Sequence, residues 1–229
     1  MKRRYFIFIL VLISALRCFA DTNLKVTEDR VRIRNLPSVK YSEVLGVANT
    51  GDSFNCWRRT SVKEEVAGDV GYWYCIRYND GEAWIFGAFV DLLGKEESDV
   101  YDVEKAEAYY NYLCELITKR AEKIRDSSSP TERKTQTAKG NDGSLGTVNI
   151  DKYLVDGFEI ETFGNTLSYI SLKANIKNVF NIKIGMSRKE IEAIIGKAEY
   201  GRYAGGYLVL NYDKSDKLTG FSINYDLYL

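Results

Sequence analysis

One stretch of this 229-residue chain keeps a helical period, and it divides everything else. Val103, Ala106, Tyr110, Leu113, Ile117, Ala121 and Ile124 recur at spacings of three and four, which builds one apolar stripe on a helix expected over 98–125. Ser98 suits the N-cap, and Asp99 suits the positive end of the helix dipole. Such a stripe needs a partner, either its own chain or a second copy. On both sides of it the pattern changes to short β-forming runs broken by turn signals. The fold class expected is therefore mainly β with α: a small β-barrel over 21–95, the connecting helix, and an α+β domain with an antiparallel sheet over 147–229. Between helix and last domain, "DSSSPTERKTQTAKGNDGSLG" (126–146) offers almost no apolar side chain. Such a segment cannot offset its ordering entropy by burial, so it is expected as a flexible linker.

In the first β region, Val31 and Ile33 alternate with Arg30, Arg32 and Arg34. Gly51-Asp52 marks a turn between two further strands, the second carrying Phe54 and Cys56 inward. "YWYCIRYNDGEAWIFGAFV" (72–90) is a hairpin, with Asn79-Asp80-Gly81 as its turn. Several short strands in so few residues suggest a small barrel. Strand parity puts Tyr74, Ile76, Ile85 and Phe54 in the core. A barrel this small cannot bury every ring, so Tyr72, Trp73 and Trp84 are the rings expected to reach the surface. There they would form a shallow aromatic groove, with Arg32 and Arg34 of the arginine row available to hold carboxylates. The alternatives are that these rings cap the barrel or pack under the helix, and that the arginine row is a solvated face.

These residues resemble the bacterial SH3-like domain family. The resemblance rests on Val31-Arg32-Ile33-Arg34 followed by Pro37-Ser38, on Glu43-Val44-Leu45-Gly46 leading to Gly51-Asp52, and on Trp73–Arg77, Asp80-Gly81, Trp84-Ile85 and Phe89. It covers Leu24 to about Leu93. It implies a binding module for a peptide, a wall fragment or an envelope protein. Two positions depart from the family pattern: Leu36 stands where a glycine precedes the proline, and Ala83 where a glycine precedes the tryptophan.

The last region opens with a hairpin in "GFEIETFGNTLSYISLK", turning at Gly164-Asn165. Ser187 and Glu190 have capping-box spacing ahead of a short helix bearing Ile191, Ile194 and Ile195, and Gly196 ends it. Met186 and these isoleucines are expected to pack on a sheet supplied by Leu208, Leu210, Phe221 and Ile223. The two hairpins of this region share a turn followed by leucine, so a diverged internal repeat is one reading. Ile184-Gly185-Met186-Ser187, the helix through Gly196 and the aromatic-rich sheet after it resemble the small outer-membrane assembly lipoprotein family, typified by component E of the barrel-assembly machinery, and the related β-lactamase-inhibitor-like fold. That family's leading helix is replaced here by a hairpin.

The start of the chain bears on location. Lys2, Arg3 and Arg4 precede an apolar run from Tyr5 to Leu16, of signal-peptide length and short of the about 20 residues that span a bilayer. Cys18-Phe19-Ala20 offers a cleavage site, so 1–20 reads as a signal peptide and the protein as exported, to the periplasm or cell surface. The alternative is a lipid anchor at Cys18 with peripheral membrane attachment, although Arg17 stands where a lipoprotein signal has a small residue. Removing 1–20 takes away four cations and no acid, so the balance of 32 Lys+Arg against 32 Asp+Glu becomes mildly acidic. Nothing then draws the chain to nucleic acid.

The chain has no histidine, which excludes His-based triads, Cys-His dyads and His-ligated zinc. Cys56, Cys75 and Cys114 remain after cleavage. Cys56 and Cys75 can pair only if parity is overridden, because Cys56 faces inward with Phe54 while Cys75 flanks Ile76. Cys114 is expected as a buried thiol on the helix. The carboxylate pairs Glu64-Glu65, Glu96-Glu97 and Glu159/Glu161 read as solvated charge, and no phosphate loop, metal spacing or nucleophile motif is present. The expectation is a non-catalytic envelope binding protein without cofactor, whose partner is an envelope protein or a peptidoglycan-type ligand. The alternative is an assembly or structural factor acting through the C-terminal domain.

Overall fold

The computed structural model describes residues 22–93, 100–139 and 145–225. The expected signal segment, Cys18, Glu96, Glu97, Ser98 and Asp99 lie outside the described residues. No described helix is long and apolar enough to cross a membrane.

The chain is mainly β, with two helices. Its first part holds β1 (Thr22–Val26), β2 (Val31–Arg34), β3 (Val44–Ala48), β4 (Ser53–Thr60), β5 (Glu64–Val66), β6 (Asp69–Gly71), β7 (Trp73–Tyr78), β8 (Gly81–Phe86) and β9 (Val90–Leu93). Seven of these form one antiparallel sheet in the order β3-β2-β8-β7-β4-β1-β9, while β5 and β6 make a separate hairpin. β10 (Tyr101–Val103) adds to β4 in parallel. The β7–β8 turn sits where expected, with its left-handed backbone at Asn79 (φ 46°) and Asp80 (φ 61°). Positive φ at both central residues makes a primed turn, whose twist matches that of the strands.

After β10 comes α1 (Lys105–Ser127). It starts later than its apolar period suggests, because the pairing of β10 with β4 takes Val103 into a strand. Tyr110, Leu113, Ile117, Ala121 and Ile124 of the expected stripe are buried, and so are Tyr109, Cys114 and Thr118 beside it. The buried surface is thus wider than one stripe, and the helix packs on its own chain. Each fully buried Leu or Ile contributes about 1.5–3 kcal/mol. An exposed i,i+4 pair such as Glu115–Lys119 contributes about 0.3–0.5 kcal/mol. Packing, not surface charge, therefore holds α1.

A second antiparallel sheet, in the order β11-β12-β13-β14-β17-β16-β15, lies against α1. It comprises β11 (Glu132–Lys139), β12 (Leu145–Val155), β13 (Phe158–Phe163), β14 (Thr166–Leu172), β15 (Gly201–Tyr203), β16 (Gly206–Tyr212) and β17 (Leu218–Tyr225). Here the structure departs from the linker expected over 126–146. Residues 126 and 127 end α1, and β11 pairs with β12 along its whole length. β11 has no core to bury, but its backbone hydrogen bonds to β12 and the bidentate Arg133–Asp151 ion pair order it without one. Residues 140–144 of that stretch lie outside the described residues.

α2 (Arg188–Ile195) carries the expected capping box: Ser187 N donates to Glu190 Oε2 at 2.7 Å, and Glu190 N donates to Ser187 Oγ at 3.3 Å. Its Ile191 and Ile195 join Leu208, Leu210, Phe221 and Ile223 in the core. Ile194 differs from expectation. The helical turn sets it off the buried line, and it is only partly buried. At Gly201 a Cβ would lie 2.2 Å from the Tyr110 carbonyl oxygen, so β15 rests directly on the α1 backbone. There Arg202 N donates to Asn111 Oδ1 at 2.6 Å.

The two sheets share α1. Leu36, from the turn after β2, is buried in the core of the second sheet, and Tyr41, Tyr109 and Tyr112 surround Phe180 at ring separations of 5.5, 4.9 and 5.8 Å. In the other direction, Val103 and Ala108 pack with Trp73, Cys75, Trp84 and Phe86 of the first sheet. Because Ile191 is fully buried and Ile194 is not, Ile191→Ala should cost about 2–5 kcal/mol. Ile194→Ala should cost clearly less, as read by chemical denaturation of the whole chain.

Candidate functional site

The five residues expected to bind ligand do not form one surface. Trp73 and Trp84 are 1% and 3% exposed, which corrects their expected place at the surface. The covering element is β10 with the first turns of α1, which lays Val103 and Ala108 over the outer face of β7 and β8. Trp73 packs against Phe86 in a tilted pair with ring centroids 5.1 Å apart, and its Nε1 donates to Glu64 Oε2 at 3.2 Å. Arg34 is also buried, and donates to Ser42 Oγ at 3.0 Å. Tyr72 is half-buried against the Arg59 guanidinium, 3.8 Å from its ring, with Lys63 at 4.9 Å. Arg32 alone of the five is exposed. The sequence did hold a signal for the buried tryptophans. Trp73–Ile76 and Ala83–Phe86 are continuous apolar runs, which mark strands covered on both faces rather than one.

The expected core residues Tyr74, Ile76 and Ile85 are buried, whereas Phe54 is partly exposed. Trp57 was missed. It occupies the bulge where the β4–β7 register shifts between Cys56 and Arg58, and it is partly buried with Arg77 5.9 Å from its ring.

A concavity lies elsewhere, where four separate segments meet. The loop Ser38–Tyr41, the β5–β6 hairpin, the start of α1 and the end of α2 enclose an open cleft of about 720 Å³. Its apolar lining is Tyr41, Ala106, Tyr109, Ile194 and Ile195. Lys40, Lys105 and Lys197 stand opposite Glu64, Glu65 and Glu104, so its formal charge balances. Lys105 and Glu64 pair with each other. Gly196 closes the far end at φ 73°, and a Cβ there would stand 2.9 Å from Ala106 Cβ, so α2 ends in tight contact with α1. The cleft draws on residues 38, 109 and 197, which no local pattern connects.

Cys56, Cys75 and Cys114 are buried and none is in a disulfide. Cys56 and Cys75 sit in separate apolar clusters, as strand parity requires, and do not bridge. Burial pushes the Cys75 and Cys114 thiols from 9.0 up to about 12. Since the thiolate is the nucleophile, neither is poised to attack a substrate. Glu159 and Glu161 share Lys152 between them, the second at 3.8 Å. Among the described residues, no group of His, Cys, Asp and Glu side chains is placed to hold a metal ion. Compared with protein-family models, curated proteins and solved structures, the chain matches none.

Two outcomes follow from this arrangement. Trp84→Ala should destabilise by about 3–5 kcal/mol, the range for emptying a buried aromatic site, as read by urea unfolding. The raised thiol pKa values give a second. Between about 9 and about 12 the unfolded thiols lose protons that the folded ones keep, so stability falls as pH rises through that window. A Cys75→Ala/Cys114→Ala variant should show a shallower alkaline decline in its denaturation midpoint.

Proposed function

We propose that this chain is an exported, non-catalytic binding protein of the cell envelope, whose ligand is a peptide, a wall fragment or another envelope protein. The observation that supports it best is the cleft of about 720 Å³ where the loop after β2, the β5–β6 hairpin and both helices meet. A concave site with apolar walls and a few polar groups is the usual form of a small-ligand site. Here the walls are tyrosine and isoleucine, and the rim carries ammonium and carboxylate groups in equal number. That balance suits a ligand bearing both charges on a short backbone, such as a peptide or the peptide stem of a wall fragment. The resemblance of the first sheet to an SH3-like module supports the same reading, with the site moved from the barrel's aromatic rings to the junction. The N-terminal run Tyr5–Leu16 supports export, with lipid anchoring at Cys18 as the alternative.

A second reading is an assembly or structural factor working through the second sheet. It is favoured by the sheet face turned away from the helices, where Leu154 and Val209 are 54% and 42% exposed.

The test is calorimetric titration of the chain with soluble disaccharide-peptide wall fragments, beside a pull-down from envelope extract. Lys40 and Lys197 are exposed, so reversing both should leave the fold intact. Lys40→Glu/Lys197→Glu should weaken capture by about tenfold or more. Equal capture by that variant, with loss on Val209→Lys instead, favours the sheet-face reading.

A further inference from the structure

β3 stands at the end of its sheet, paired on one side with β2 and on the other with nothing among the described residues. An unpaired strand edge is a template for another chain, and proteins usually blunt it with charge or proline. The other strands at sheet edges each carry charge: Asp91 in β9, Asp102 in β10, Glu132, Arg133 and Lys134 in β11, and Arg202 in β15. β3 reads Val44-Leu45-Gly46-Val47-Ala48 and carries none. Its Val44, Leu45 and Val47 are 48%, 45% and 51% exposed.

The face beside this edge carries one exposed cation. Arg32 lies opposite Val47, whereas Arg34, opposite Val44, is buried on Ser42, and Gly46 turns inward over the Tyr78 ring. Neither guanidinium has a carboxylate partner among the described ion pairs. Burial, and then the neighbouring charge of Arg32, lowers the Arg34 pKa. A strand added to β3 would run about 10 Å from β2, two strand spacings away. An arginine side chain lying over Val47 and an acidic side chain reaching back can bridge that gap. A second copy docked edge to edge would instead set two copies of Arg32 on one face with no acid between them, and like charges oppose that.

We propose that the free edge of β3 receives an extended, acid-bearing peptide segment of another protein as an added strand, held by backbone hydrogen bonds and by Arg32. Backbone pairing supplies affinity in such strand addition, and alternate side chains supply the choice of partner. The surface is separate from the cleft, and the proposal stands independently of it.

The test uses the full chain and three fluorescent peptides: one alternating glutamate and valine, one alternating lysine and valine, and the first with alternate backbone amides methylated. The glutamate peptide should bind by anisotropy and slow hydrogen exchange at the amides of Val44–Ala48. Arg32→Glu and Val47→Glu should each weaken it by about tenfold. The lysine peptide and the methylated peptide should fail to bind. Lys40→Glu/Lys197→Glu should bind the glutamate peptide as the parent does, which separates this surface from the cleft. Equal binding of the methylated peptide would reduce the effect to charge alone and overturn the proposal. Absence of any protection at β3 would overturn it too, as would a dimer that Val47→Lys dissolves, since the occupant would then be a second copy.

Discussion

The burial of α1 is the constraint on which the rest of this structure depends. Its long buried face meets the second sheet through Leu113, Ile117, Ala121 and Ile124, and its first turn meets the first sheet through Ala108. The start of the helix is held in place by β10. This strand pairs in parallel with β4 and offers the Val103 carbonyl to Ser61 N at 3.0 Å. One helix thus serves two sheets: it fills the core of the second and covers the outer face of the first, whose inner core of Leu24, Ile33, Ile76 and Ile85 is built from its own strands. The aromatic cluster around Phe180 extends the same junction by bringing Tyr41 from the first part of the chain onto Tyr109.

That arrangement moves the functional question away from the rings that first draw attention. A small sheet standing alone would leave the side chains of one face in water. Covered by β10 and α1, the β7–β8 hairpin is buried on both faces, and Trp73 and Trp84 become packing. The covering helix has two ends, and its start meets the end of α2 and the β5–β6 hairpin to leave the cleft. The buried tryptophans and the cleft are therefore two consequences of one placement. The element that removes the tryptophans from solvent also creates the concavity that supports a binding role.

The surface chemistry is consistent with recognition by shape and charge. The Cys75 and Cys114 thiols are held protonated by burial, Glu159 and Glu161 share one lysine, Lys152, and Glu64 is committed to Lys105 and the Trp73 indole. What stays open is a charge-balanced cleft and an uncharged strand edge beside Arg32.

Much of the local structure was legible in the chain itself. The 3.6-residue period of α1, the capping box at Ser187 and Glu190, the primed turn at Asn79-Asp80 and the alternation of Val31 and Ile33 each depend on neighbours a few residues apart. Parity along single strands also placed Cys56 and Cys75 in different clusters. The order of β11 was hidden, because its residues bury nothing and its stability comes from the partner strand β12. The exposure of Trp73 and Trp84, the half-burial of Ile194 and the cleft itself were hidden for a related reason. Each is decided by residues tens of positions away that only packing brings near, such as Ala108 over the tryptophans and Ser38 facing Lys197. The sequence by itself determined the elements and their apolar faces, since these follow from local backbone geometry. Tertiary structure alone decided which faces stay in water, since burial belongs to a pair of surfaces and not to either one.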